Sequence, residues 1–450
     1  MSGTRIASIS GLRGVVGDGL DPAAAVEFAA AYASGCVRGP IVVGHDGRAS
    51  APVFLNAVLA GVNATGREAL LAGPVATPTL GHLVRELGAA GGIQISASHN
   101  PPEYNGLKFF QAGGMVLSPA EGKDLLVRLD RKEFDWARWD RLGQVRPLEH
   151  PYSAHLGAVL RAVDRDRIAS KKYRVILDAC HGAGGRPGGA LLRALGCHAT
   201  VLGAIPDGLY DHPPEPTEEN LREVAAIVPA VGAAIGLAQD PDADRLALID
   251  EKGRYIGEEL TLALAALWRL TDQPGPLVLN LSTSRVAESV AQRLGCPALR
   301  TPVGEINVVE RMLAEQAVLG GEGNGGVIDP RIGLVRDSLL GIAAVLDLMA
   351  RESRPLSAIV DDLPVFHMVK RKYPIDPAQG PIAARFPRIA QAHAIARADY
   401  RDGLRLDWPD AWVHVRASNT EPIVRVIAEA ADSARAEALA DLIGRSIRDF

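Results

Sequence analysis

The chain has 450 residues, long enough for about three or four domains. Hydrophobic residues make up 47% and charged residues 22%, which excludes a mainly disordered chain. The net charge of −5 excludes an overall basic field for nucleic acid or anionic lipid, so any phosphate site must draw on a local basic patch.

The amino terminus, Met1-Ser2-Gly3-Thr4-Arg5-Ile6, lacks the charged-then-apolar pattern of a secretory signal. Pro40-Ile41-Val42-Val43-Gly44 reads as a short apolar strand. A helix is expected from Thr77, with Thr77 as its N-cap, Pro78 in its first turn and Gly88 as its stop. Gly92-Ile93-Gln94-Ile95 then leads as a strand into Ser96-Ala97-Ser98-His99-Asn100-Pro101. Lys108, beside Phe109 and Phe110, is expected on a strand edge near that loop.

Tyr173 to Asp178 opens a second block as a buried strand, and a helix ends near Leu195 with Gly196 behind it. The most apolar stretch, Ala225 to Ala238, is interrupted by Pro229 and is too short to span a bilayer. Its end runs into Asp240-Pro241-Asp242-Ala243-Asp244-Arg245, from which Leu246 to Ile249 leaves as a strand. A third block has a strand at Leu277 to Leu281, a helix at Ser284 to Leu294, and Val318-Leu319 entering a loop at Gly320 to Gly326. After about Leu363 the alternation weakens. Trp412 to Val415 and Ile423 to Val426 read as an antiparallel pair, and Ser433 to about Ile447 as a closing amphipathic helix.

Strands alternating with helices argue for α/β sheets, with ligands gathered beyond the carboxyl ends of strands. The expected domains are 1–150, 151–253, 254–365 and 366–450: three α/β domains and a smaller α+β domain. Cys36, Cys180, Cys197 and Cys296 form no paired motif and read as buried thiols of a reducing cytoplasm.

Four loops carry chemistry. Asp240, Asp242 and Asp244 repel one another unless a cation neutralises them, and hard oxygen ligands select magnesium or calcium. The alternative is a solvated acidic turn. Ser96 and Ser98 are candidate nucleophiles between which spacing does not choose, with a polar turn as the alternative. Glu322 and Asn324, set among glycines, suit recognition of sugar hydroxyls; the alternative is a flexible loop. Arg416, Ser418, Asn419, Thr420 and, across the hairpin, Arg425 suit a phosphate dianion, or else form an exposed turn. Together they make up the parts of a phosphoryl-transfer site.

These residues resemble the α-D-phosphohexomutase superfamily over nearly the whole chain. Ser10-Gly11-Leu12-Arg13-Gly14 is similar to its amino-terminal active-site stretch. Ala97-Ser98-His99-Asn100-Pro101 resembles its phosphoserine loop and selects Ser98 over Ser96, and Tyr104 to Lys108 resembles the element carrying an active-site lysine. The acidic run resembles its magnesium loop, Gly321 to Gly326 its sugar loop, and Arg416 to Pro422 its phosphate-binding loop. The resemblance implies three related α/β domains and a fourth α+β domain around a cleft. It also implies one Mg²⁺ per chain on Ser98, Asp240, Asp242 and Asp244, and a hexose 1,6-bisphosphate activator.

The expected substrate is a small sugar phosphate, with neither nucleic acid nor membrane as a partner, handled by a monomer or homodimer. Arg13, His99, Lys108 and Arg245 are expected to assist the transfer. Glucosamine phosphate is the expected sugar, with glucose or mannose phosphate as the alternative. A hydrolase acting on phospho-Ser98 and a non-catalytic sensor are the readings from other classes. Two departures stand out: Gly326 replaces a histidine that is a candidate acid/base in some members, and Asp337-Ser338 replaces Asp-Gly. His99, Lys108 and Glu305 are the candidate general bases, in that order.

Overall fold

The computed structural model describes residues 6–8, 11–375, 380–417 and 423–449. They form four sheets, met in order along the chain. The first runs Ile6–Ser8, Gly11–Val16, Tyr104–Gln111, Gly91–Ile95, Ile41–His45, Ala69–Pro74, Val145–Pro147, with Gly19–Leu20 beside Gly11–Val16. The second runs His198–Leu202, Arg174–Asp178, Ile235–Gln239, Leu246–Asp250, Tyr255–Gly257. The third runs Ala298–Thr301, Leu277–Asn280, Leu319–Glu322, Gly326–Ile328. In each, a parallel core is flanked by antiparallel strands. The fourth, His367–Pro374, Ile423–Ala430, Ala411–Ala417, Leu404–Asp407, Arg397–Asp399, is antiparallel throughout, and the helix Ser433–Asp449 packs on it. The fold is thus the expected mixed α/β class with an α+β end.

Central strands such as Gly91–Ile95, Ile235–Gln239 and Leu246–Asp250 are buried along their whole length, as sheets covered on both faces require. The largest apolar cluster joins the second and third sheets. At its centre lies the helix Ser338–Glu352, buried at every position from Ser338 to Ala350. A helix apolar on all sides needs neighbours on all sides. Asp337 caps it, its Oδ1 accepting from the amides of Leu339 at 2.9 Å and Leu340 at 3.3 Å. Arg336, one residue before the cap, therefore hangs from a rigid anchor.

Four local expectations are corrected. Thr77 is the first helical residue of Thr77–Glu86 rather than its cap; Ala76 holds the cap position with no side-chain bond. The Thr77 hydroxyl is engaged elsewhere, donating to Asp242 Oδ2 at 2.5 Å. Lys108 lies on an interior strand, not an edge, because Tyr104–Gln111 pairs with both Gly91–Ile95 and Gly11–Val16. Gly320, Gly321 and Glu322 are strand rather than loop, since they pair with Gly326–Ile328. A Cβ on Gly321 would stand 2.2 Å from the Gly326 carbonyl oxygen, so close strand approach explains that glycine. Of the four free cysteines, three are buried and Cys36 is half-buried. Among the described residues, no helix is long and apolar enough to cross a membrane.

Candidate active site

The serine loop follows the carboxyl end of Gly91–Ile95. Ser98 has φ +52°, a left-handed conformation that costs a residue with a Cβ. Its amide donates to Ser96 Oγ at 2.8 Å, so Ser96 faces the backbone of the loop. Ser98 Oγ instead donates to Asp240 Oδ2 at 2.8 Å and lies 3.3 Å from His99 Nδ1.

What holds this conformation is Arg48, a residue the sequence reading passed over. Its guanidinium, in a side chain only 1% exposed, donates to four carbonyls of one loop. The acceptors are Ser98 at 2.5 Å, Asn100 at 2.7 Å, Pro101 at 2.7 Å and Tyr104 at 3.0 Å. Asp46 balances the charge at 3.1 Å, and the ring of Tyr210 lies 5.5 Å away, bringing the second domain over the clamp. Arg13 Nη1 adds a bond to Asn100 Oδ1 at 2.9 Å.

The acidic loop is the turn between Ile235–Gln239 and Leu246–Asp250, with Ala243 at φ +54°. Asp240, Asp242 and Asp244 are fully buried, and one oxygen from each lies within 4.8 Å of the others. Lys108 Nζ stands 2.5 Å from Asp242 Oδ2 and 3.2 Å from Asp244 Oδ2. Ser338, the departure noted above, ties this loop to the central helix: its hydroxyl donates to the Ala243 carbonyl at 2.6 Å and accepts from Gln239 Nε2 at 2.8 Å.

Arg336 joins three loops. It reaches Asp244 Oδ2 at 2.6 Å, Glu305 Oε2 at 3.0 Å and Glu322 Oε2 at 2.9 Å. Glu322 Oε1 accepts from Asn280 Nδ2 at 2.8 Å and the Gly304 amide at 3.1 Å, so its carboxylate is rigidly set. Among the described residues, Asn324 Oδ1 is buried with no hydrogen-bond partner. The glycine at 326 now has a cause: a Cβ there would stand 2.2 Å from Arg336 Cδ and 2.6 Å from Cγ. The arginine stem fills the space a side chain at 326 would need.

On the fourth sheet Arg416 pairs in register with Arg425, and Arg425 with Lys372. Registered neighbours in an antiparallel sheet point to one face, so three cations form a row across three strands. Lys370 and His414 also reach the cleft. The predicted Ser418, Asn419 and Thr420 lie outside the described residues. One cavity of about 820 Å³ brings together Arg13, Ser98, His99, Lys108, Arg245, Glu322, Asn324, Arg416 and Arg425, with Glu305, Arg336 and Lys372 in the same wall.

Phosphoglucomutase/phosphomannomutase models match four segments of the chain: α/β/α domain I over residues 5–135, domain II over 150–253, domain III over 257–366, and the C-terminal domain over 369–445. The chain belongs to the phosphoglucomutase/phosphomannomutase family. It is 34% identical to a phosphoglucomutase/phosphomannomutase of Thermococcus kodakarensis, covering 96% of each chain. It is also 34% identical to a "Probable phosphoglucosamine mutase" of Methanopyrus kandleri, covering 96% of this chain and 95% of the relative. Among solved structures, a phosphoglucomutase/phosphomannomutase family protein from Burkholderia thailandensis superposes with a TM-score of 0.82 at 26% identity, covering 98% of this chain and 96% of the other. Phosphohexomutases are isomerases that move a phosphoryl group within a sugar phosphate.

The electrostatics of this phosphohexomutase cleft divide its acids and bases. Burial raises Asp240 well above the usual carboxylate range, and the charges of Asp244 and Asp242 raise it further. Burial also pushes Asp242 up, but Lys108 and the hydroxyl of Thr77 outweigh it and hold Asp242 low. Asp244 is likewise held low, with Arg336 the main attraction against burial. Among the described residues, Asp242 Oδ1 and Asp244 Oδ1 are buried without hydrogen-bond partners. Orphaned carboxylate oxygens beside a third acid whose ionised form burial and its neighbours disfavour are what a hard divalent cation would satisfy, so the donor set fits one.

Burial, then Arg245 and Arg13, drive His99 well below the usual imidazole range, leaving it neutral. Lys108 is raised despite burial, because Asp242 and Asp244 favour its charge. Glu305 is pushed up to about 7, chiefly by burial and against the pull of Arg336. Arg245 lies 3.9 Å from both Asp244 and Glu258, beyond hydrogen-bond reach, and its buried Nε has no hydrogen-bond partner among the described residues. Arg48, Arg336, Lys370, Lys372 and His414 were missed as site residues. Arg336, Lys370 and Lys372 had a local signal, the first beside a recognised motif and the other two in the run Lys370-Arg371-Lys372.

Proposed function

We propose that this phosphohexomutase interconverts hexose 1-phosphate and 6-phosphate through phospho-Ser98 and a 1,6-bisphosphate, with glucosamine phosphate as the preferred sugar. The observation that carries the reading is Ser98 Oγ, held 2.8 Å from Asp240 in a cleft that faces the row Arg416, Arg425 and Lys372. Asp240, Asp242, Asp244 and the Ser98 oxygen would hold Mg²⁺, which when bound would offset phosphoryl charge.

Arg416 and Arg425, with Ser418, Asn419 and Thr420 between them in the sequence, bind the phosphate that is not reacting. Glu322 and Asn324 orient the ring hydroxyls. The sugar 6-oxygen forms a bond to phosphorus as the Ser98 Oγ–phosphorus bond breaks, and the hydroxyl proton passes to a base. Arg13, Lys108 and Arg245 balance the charge of the transferring group. The bisphosphate then turns end for end, and Ser98 takes the phosphoryl group from the 1-position.

The base is better filled by Glu305 or neutral His99 than by Lys108, which is held as a cation. This reverses part of the order expected from sequence. For the sugar, the unpartnered Asn324 acceptor and the nearby carboxylates of Glu259 and Glu305 suit a 2-ammonium group. Glucose or mannose phosphate is the alternative, favoured by the name of the Thermococcus relative.

Ser98→Ala is expected to abolish turnover while the circular dichroism spectrum is unchanged; a near-normal mutase rate would overturn the mechanism. Turnover on glucosamine, glucose and mannose 1-phosphates decides the sugar. Release of inorganic phosphate without the 6-phosphate isomer would instead indicate a hydrolase.

A further inference from the structure

A second cavity, of about 310 Å³, opens where the third and fourth sheets meet. Their edge strands, Ala298–Thr301 and Arg397–Asp399, both contribute to its wall. Six arginines line it: Arg285, Arg300, Arg311, Arg397, Arg401 and Arg405. Its carboxylates are only Glu288, Asp399 and Asp407, and each is already committed. Glu288 pairs with Arg300 at 2.7 Å, Asp399 with Arg401 at 2.6 Å, and Asp407 with both Arg405 at 2.8 Å and Arg285 at 3.2 Å. Arg311 pairs with Glu315, which is not in the wall, at 2.8 Å. Arg397 has no ion pair among the described residues.

Arg405 is the deepest of these cations, 1% exposed and lying 4.1 Å over the ring of Trp412. Burial and then the neighbouring charge of Arg300 lower its pKa to about 10. Guanidinium groups crowded into a concavity with too few carboxylates form an electrostatic deficit that an anion fills. Charged edges also discourage strand pairing, but that role needs dispersed charges rather than convergent ones. The cavity is at the small end of the range for metabolite pockets, about 300–1,000 Å³. Planar guanidinium forks match phosphate oxygens.

We propose that this cavity is a second anion site, taking a small phosphate-bearing molecule, and that its occupancy tunes the cleft. The wall between the two cavities is the segment Asn280–Ser282. Arg405 donates to the Leu281 carbonyl, and Arg300 to the Asn280 carbonyl at 3.0 Å. On the other side Asn280 holds Glu322, and Ser282 Oγ is 2.9 Å from His414 Nδ1. An anion that draws Arg300 and Arg405 towards itself acts on residues that position the sugar reader, and linkage makes the effect reciprocal.

The test titrates the full chain with inorganic phosphate and, separately, with glycerol 3-phosphate, an ester too short to be a hexose substrate. Calorimetry is expected to find two sites in the wild type and one in Arg416→Ala/Arg425→Ala, whose cleft clamp is removed. Adding Arg397→Glu or Arg311→Glu, both at exposed positions, is expected to weaken that remaining site by about tenfold or more. Alone, Arg397→Glu is expected to keep turnover in phosphate-free buffer within about twofold and to leave competition by glycerol 3-phosphate at the cleft clamp in place, while removing the effect of glycerol 3-phosphate on kcat. The tighter of the two probes names the source, free ion or ester. No binding by the clamp-deleted protein, or binding unchanged by both charge reversals, overturns the proposal. Loss of mutase activity in the wild type would count against the function above and not against this site.

Discussion

Replacing Arg336 with methionine keeps most of the side-chain stem and deletes the guanidinium that reaches Asp244, Glu305 and Glu322. Glu322 would retain Asn280 and the Gly304 amide, and Asp244 would retain Lys108 at 3.2 Å. Glu305 would lose the cation that attracts it most. Removing one partner of a buried ion pair costs about 3–5 kcal/mol, and the arginine side chain is only 11% exposed, so that range applies. The loss depends on pH in a stated direction. Asp244 has a lowered folded pKa, so its contribution is present above the unfolded value and is lost as pH falls through the folded one. Glu305, pushed up to about 7, lowers stability progressively as pH rises from its unfolded value towards about 7, and the native protein carries its charge only above that. Without Arg336 its pKa rises further. The gap between wild type and variant is therefore greatest above about pH 7 and narrows towards about pH 5, where Glu305 is neutral in both proteins. Thermal unfolding near pH 8 and near pH 5.5 measures this, with a fall of about 3–5 °C expected at the higher pH. A fall of under about 2 °C, or the same fall at both pH values, would refute the reasoning.

Arg48→Ala would strand four carbonyls of the serine loop; we expect a loss of about 3–5 kcal/mol and a fall in kcat larger than any change in KM, read from unfolding and steady-state kinetics. Asp242→Asn is expected to abolish the rise in Tm that Mg²⁺ produces in the wild type, about 2.7 kcal/mol at one hundred times Kd, together with activity; full wild-type turnover in excess chelator would contradict the metal role. If Glu305 takes the hydroxyl proton, log kcat/KM falls as pH drops below about 7, and Glu305→Gln removes that limb from the profile. An unchanged limb would return the role to His99.

The chemistry was legible wherever it was written in a contiguous run. Ser98 to Pro101 and Asp240 to Arg245 each pass from a strand into a tight turn, so their side chains converge by local geometry alone. Even there, the choice of Ser98 over Ser96 came from resemblance, and only the folded loop shows Ser96 Oγ turned to the Ser98 amide. Arg48 was invisible because its acceptors lie 50 to 56 residues away and are backbone carbonyls, which carry no sequence signal. Thr77 matched the pattern of a cap, but Asp242, 165 residues on, took its hydroxyl. The substitution of glycine for histidine at 326 looked like a lost function. It is also a packing requirement, set by an arginine ten residues later. Lys372 lined up with Arg425 and Arg416 only once strand register was known.

That row of three cations lies on the last sheet of the chain, and Arg425 belongs to its last strand but for the closing helix. During synthesis the acidic turn emerges about 170 residues before Arg416, and the serine loop more than 300 residues before it, ahead of the groups proposed to grip the second phosphate. A nascent chain, or one truncated before Ile423, would hold the phosphoryl-handling half without the clamp that orients an acceptor sugar. On the proposed mechanism such a fragment has no productive acceptor except water. On that mechanism, completing the final sheet does more than finish the fold: only then can an acceptor sugar be held in line with Ser98.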